Sequence, residues 1–111
     1  MKSLFKIALV SIVLLACSPK LAKTSVNSST PTQADADRAA AKWEGTTLEN
    51  LNSGKTLYEA NCGKCHALPA ISSRNEEGWN KIVPPMAQKA RLSSESENYI
   101  LKYVVTMATK K

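Results

Sequence analysis

Residues 62–66 read Cys62-Gly63-Lys64-Cys65-His66, and we interpret the rest of the chain around this pentapeptide. A zinc site needs a fourth ligand, but the chain has one histidine, and its third cysteine lies near the N-terminus, where we expect it to be blocked. A thioredoxin-like redox pair needs a βαβ context, which the flanking sequence lacks. A disulfide across two intervening residues would close a small, strained loop.

The same spacing is the attachment signature of a c-type haem. Two thiols three positions apart can form thioethers with the two vinyl-derived carbons of one porphyrin edge. The histidine that follows is then placed beneath the iron as an axial ligand. We therefore predict one covalently bound haem c, attached through Cys62 and Cys65, with His66 as the proximal iron ligand.

The sixth iron ligand must be chosen among few residues. Met107 lies on the apolar stripe of the last predicted helix, where methionine usually fills a gap in the core. Met86 follows Pro84-Pro85, in a segment that we expect to be irregular and free to curve around the haem. We predict Met86, with Met107 or a vacant or otherwise filled position as alternatives.

Periodicity predicts helices on both sides of the pentapeptide. Thr46 and Glu49 are spaced as a capping box at the start of a helix over about 47–60. Gly54 lacks a side chain where this helix could cross the last one closely, and we expect Tyr103 to pack over it. The alternative is that the glycine merely weakens the helix.

Two further helices are expected, and no strand-like alternation of useful length occurs. The second begins near Asn75 and ends before Pro84-Pro85, because proline lacks an N–H donor and clashes with the preceding turn. The third covers 95–108 with Ser94 as its N-cap.

The first 17 residues predict export and lipidation. Lys2 and Lys6 precede an apolar run over 7–15, which has the length of a signal sequence and is too short to span a membrane. The run ends in Leu14-Leu15-Ala16-Cys17, which resembles the lipobox of bacterial lipoproteins. That resemblance implies that Cys17 is acylated and anchors the protein to a membrane. A plain secretory signal with an incidental cysteine is the alternative.

These features divide the chain into three parts. We predict a lipoprotein signal peptide at 1–16, a lipid-anchored flexible tether at 17–44 and a haem domain at 45–111. Within the tether, 37–43 has the composition to form a turn or two of helix that packs Trp43 onto the domain.

Size and charge exclude several classes of protein. A domain of about 60 residues is too small for a Rossmann fold or a multidomain enzyme, and it needs a cofactor or similar staple. The net charge of +6 comes largely from the termini, since residues 45–108 contain seven basic and six acidic side chains. We therefore expect no nucleic-acid partner.

A longer pattern resembles the small bacterial class I c-type cytochromes, over about residues 47–107. It comprises Gly54-x-x-Leu57-Tyr58-x-x-x-Cys62-x-x-Cys65-His66, followed by Trp79, Met86 and Tyr103. The resemblance implies an all-α, cytochrome c-like fold of three to four helices around one haem c, with His66 and Met86 on the iron. It also implies that the Pro69 carbonyl orients His66. Trp79 would donate to a haem propionate or act as an ordinary core tryptophan.

The expected function is electron transfer with Fe(II)/Fe(III) cycling, without catalysis or a small-molecule substrate. The expected partners are redox proteins that the sequence does not identify, together with the membrane that holds the lipid. The domain is placed on the extracytoplasmic or periplasmic side of a bacterial cell envelope. The alternative function is a small-ligand-binding haem protein or an accessory haem subunit of a larger redox complex.

Overall fold

The structure is a computed structural model that describes residues 29–64 and 66–110. Its helices are α1 (Gln33–Lys42), α2 (Leu48–Cys62), α3 (Glu76–Lys89) and α4 (Ser94–Ala108), with a 3-10 turn at Ile71–Ser73. The described residues contain no strand, so the prediction of an all-α fold is confirmed. The predicted signal peptide, Cys17 and Cys65 lie outside the described residues.

Gly54 lies where α2 crosses α4, as predicted. A Cβ atom at residue 54 would meet the backbone of Tyr99 and would lie only 2.7 Å from the Cβ of Tyr103. Real Cβ atoms essentially never approach so closely, so this crossing requires glycine. The close approach holds the two longest helices together.

Three aromatic side chains form the centre of the core. Tyr58 from α2 packs edge-on against Trp79 from α3, with ring centroids 5.9 Å apart. Its other neighbour is Tyr103 from α4, at 6.0 Å. All three are at most 1% exposed. Such pairs contribute about 0.5–1.5 kcal/mol each beyond the burial of apolar area.

Both predicted caps are displaced by one residue. The cap of α2 is Thr47, which accepts from the backbone N–H of Asn50 at 3.2 Å. Thr46 is buried instead, and its hydroxyl donates to the Trp43 carbonyl at 2.7 Å, so it is not available as a cap. At the start of α4, Ser93 rather than Ser94 is the cap.

The prediction that the second helix ends before Pro84-Pro85 is wrong. Helix α3 includes both prolines and extends to Lys89. The N–H groups that proline lacks would have bonded to the carbonyls of Asn80 and Lys81. Both of these residues are exposed, so water can hydrate their carbonyls. Met86 consequently lies on a helix, and the predicted irregular segment does not exist.

Part of the predicted tether belongs to the folded domain. Helix α1 lies within 17–44, and its Ala36 and Ala39 are buried in a cluster with Leu51 of α2. Trp43, at the end of α1, packs against this cluster and against the main core, as predicted.

Candidate functional site

Cys62 is the last residue of α2 and packs against the main core. Its side chain is half-buried, and this burial raises the pKa of the thiol. Gly63 caps the helix, and Leu68 of the following segment also packs against the core. The position therefore presents a sulfur atom at the boundary between core and solvent, where a bound group could be attached.

His66 is exposed directly after the pentapeptide's second cysteine. Its Nδ1 atom lies 2.8 Å from the carbonyl oxygen of Ala67. A carbonyl can only accept, so this contact requires the proton on Nδ1 and leaves the lone pair of Nε2 available in the neutral ring. That is the tautomer that an iron-ligating imidazole needs.

The carbonyl of Pro69 accepts a hydrogen bond from the Tyr58 hydroxyl. Burial, with Cys62 and Tyr103 nearby, raises the pKa of Tyr58, so this phenol remains a donor. The bond ties the segment after the pentapeptide to the aromatic core. The role of Pro69 in orienting His66 stays a prediction, and in this structure Nδ1 of His66 lies against the Ala67 carbonyl instead.

Trp79 uses its indole N–H within the protein. The group donates to the Ile71 carbonyl at 3.1 Å, and the tryptophan is 1% exposed. The guanidinium of Arg74 lies over its ring, 5.4 Å from the centroid. These contacts are those of an ordinary core tryptophan, which was the alternative to a hydrogen bond with a haem propionate.

The two candidate methionines differ sharply in exposure. Met86 is 37% exposed, whereas Met107 is 6% exposed within the core. Met86 follows half-buried Ile82 by one helical turn and so lies at the edge of the inward face of α3. Its thioether is therefore accessible to a ligand without any change in the core.

Several half-buried apolar side chains pack against the outside of the core. With Cys62, they include Leu57, Leu68, Leu92 and Leu101. An apolar macrocycle would remove such side chains from water, at about 25 cal/mol per Å² of area covered. Cys62 packs against the same core as these leucines, and His66 and Met86 are exposed; thiol, imidazole and thioether are the side-chain types that hold a haem c.

Sequence reasoning missed a groove of about 480 Å³ between α2 and α4. Its lining includes Leu57, Tyr99 and the carboxylate-bearing Glu49 and Glu95. Tyr99 donates to Glu95 at 3.0 Å, and this hydrogen bond raises the pKa of Tyr99. The lining includes neither His66 nor Met86, but it shares Leu57 with the half-buried leucines described above.

The described residues hold neither a cluster of metal-ligating side chains nor a membrane-spanning helix. Residues 29–64 and 66–110 contain no group of three or more His, Cys, Asp or Glu side chains that could hold a metal ion. An iron held by a porphyrin does not need such a group. In the same residues, no helix is long and apolar enough to cross a membrane.

Comparison with known proteins identified no relative. No family model matches the chain, and neither a curated protein nor a solved structure is significantly similar to it.

Proposed function

We propose that this chain is a lipid-anchored monohaem cytochrome c that transfers electrons and catalyses no reaction. The observation that carries the proposal is the pentapeptide 62–66, with Cys62 half-buried at a helix end and His66 exposed beside it. Cys62 and Cys65 would hold the haem, and His66 and Met86 would be its axial ligands. When bound, haem supplies the one-electron Fe(III)/Fe(II) couple.

The residues of this chain would control that couple in three ways. His66, with its proton held on Nδ1 by Ala67, presents Nε2 to a metal. The thioether of Met86 favours the ferrous state and raises the reduction potential. The half-buried leucines that pack against the core would shield a group bound at Cys62 from water if they lie over it, and such shielding also affects the potential.

The proposal is tested by purifying the protein from membranes of a host that matures c-type cytochromes. We expect covalently bound haem, a low-spin spectrum and the weak ferric absorption band of a methionine–iron bond. A redox titration should show one reversible one-electron step.

The same preparation distinguishes electron transfer from small-ligand binding. A six-coordinate electron carrier should show no spectral change with carbon monoxide. A high-spin spectrum that changes on adding carbon monoxide would favour the ligand-binding alternative.

A further inference from the structure

Residues 29–44, which we call the N-terminal strap, are held against the rest of the domain at three places. We call each of these groups of hydrogen bonds or ion pairs a clasp. The first clasp is at Ser29, whose N–H donates to the Tyr103 hydroxyl oxygen at 3.1 Å. The Tyr103 hydroxyl in turn donates to the Ser29 carbonyl at 2.8 Å. Because Tyr103 is fully buried at the crossing of α2 and α4, the chain enters the domain at a fixed point.

The second clasp is centred on the buried carboxylate of Asp35. It accepts from Arg38 at 2.6 Å, from the backbone N–H and hydroxyl of Thr32 at 2.8 Å each, and from Lys110 at 3.3 Å. Arg38 also donates to the Thr106 carbonyl at 3.4 Å, which joins α1 to α4. Burial alone would raise the pKa of Asp35, but these hydrogen bonds outweigh it and hold the pKa well below its usual range.

The third clasp joins the end of the strap to α3. Lys42 forms an ion pair with Glu76, and its ammonium group lies 5.1 Å from the centroid of the Trp43 ring. Contacts therefore connect the strap to the rest of the domain from its first residue to its last turn, and they oppose its extension.

The strap sets how far the domain can lie from its lipid anchor, provided that Cys17 is acylated as proposed. Twelve peptide units join Cys17 to Ser29, whereas 27 join Cys17 to Glu44. The first distance is at most about 40 Å and the second would be about 95 Å. Along α2, Cys62 lies about 12 Å from Gly54, which marks the crossing where Ser29 is held.

We propose that the electron-transfer partner is a redox protein bound to the same membrane, with its electron-exchanging surface within about 50 Å of the bilayer. One electron passes between the two proteins, so one is oxidised while the other is reduced. The short connection raises the concentration of the domain at such a surface, because the domain fills a layer above the membrane whose thickness grows roughly as the square root of linker length. This inference rests on the proposed function.

The test compares one Gly/Ser insertion of about 15 residues at two positions. Between residues 28 and 29 it lengthens the connection to the anchor. Between Glu44 and Gly45, in an exposed turn, it leaves that connection unchanged as long as the strap stays clasped. Membrane vesicles of the native bacterium that carry each lipid-anchored holoprotein receive succinate or NADH, and the rate of haem reduction is recorded. Reduction by ascorbate and thermal melting are the controls.

We expect the first insertion to slow reduction about 1.5-fold, which is the ratio of the two root-mean-square reaches, and the second to leave it unchanged. Equal slowing by both insertions would overturn the clasped strap. No slowing by either would overturn the partner on the same membrane and indicate a soluble one. Haem-free protein would instead contradict the proposed function, and the haem spectrum of each preparation detects that failure before any rate is compared.

Discussion

Replacement of Gly54 by alanine tests the helix crossing on which the fold depends. The new Cβ would meet the Tyr99 backbone and would lie 2.7 Å from the Tyr103 Cβ. Ordinary contact needs about 3.5–4.0 Å, so the helices must separate by about 1 Å. Alanine is favoured over glycine by about 1 kcal/mol in a helix, whereas overpacking of this kind costs about 1–3 kcal/mol and occasionally more. Backbone cannot yield as a side chain can, so we expect a net loss of about 2 kcal/mol.

The assay for this substitution is urea unfolding of the holoprotein, followed by far-ultraviolet circular dichroism. Asn52→Ala is the matched control, because Asn52 is exposed on the same helix and its replacement should change stability by less than about 0.5 kcal/mol. An alanine at residue 54 that left stability unchanged, or raised it as helix propensity alone predicts, would refute the close crossing.

Three other predictions concern the axial ligand, the end of α3 and the clasp at α1. Met86→Ala should abolish the methionine–iron band, lower the reduction potential and allow carbon monoxide to bind the iron. Met107→Ala should keep the band and lose about 2–3 kcal/mol of stability. Loss of the band in Met107→Ala alone would refute the assignment of Met86. Arg91→Gly should raise the free energy of unfolding by about 0.5–1 kcal/mol, because residue 91 has a φ of 55° and glycine adopts this conformation without strain; a loss on urea unfolding would contradict this. Since the folded-state pKa of Asp35 is lowered, its carboxylate should stabilise the fold at neutral pH, and this contribution should be lost progressively as the pH falls below about 4. An Asp35→Asn variant with the same acid unfolding curve as the wild type would contradict this contribution.

The local pattern of residues was sufficient to predict α2 and α4. The spacing of apolar residues predicted both helices, and Gly54 opposite Tyr103 predicted their crossing. The caps were placed one residue away because adjacent hydroxyl residues compete for each cap. For α2, the hydrogen bond from Thr46 to the Trp43 carbonyl, in the turn between α1 and α2, distinguishes the two threonines.

Two features of the fold, the extent of α3 and the burial of α1, depended on surroundings that a local sequence pattern does not contain. Helix α3 continues through Pro84-Pro85, and the two residues whose carbonyls lose their helical partners there, Asn80 and Lys81, are exposed to water. The polar composition of α1 suggested a tether, because Asp35 in isolation is a solvated charge. Its burial depends on Lys110, which is distant in sequence, as well as on nearby Arg38.

The candidate site, like the fold, could be predicted from the sequence only in part. Motif spacing identified Cys62, Cys65 and His66 as candidate haem-binding residues, and Met86 was chosen over Met107 from its place after the two prolines and from the family resemblance. These assignments stay predictions; the structure shows that Met86 is exposed and Met107 is buried. Motif spacing could not predict that the Tyr58 hydroxyl bonds to the Pro69 carbonyl, because that bond depends on how α2 packs against the segment that follows it.

Intact-mass analysis of protein purified from membranes tests covalent haem attachment most directly. We expect the wild-type chain to carry the mass of exactly one haem, retained after denaturation and extraction with acidic acetone. Cys62→Ala and Cys65→Ala should each greatly reduce the yield of haem-bearing chain, since each removes one of the two thioether bonds. Wild-type protein that carries no haem after denaturation, or normal yields of haem-bearing chain from both variants, would contradict the account.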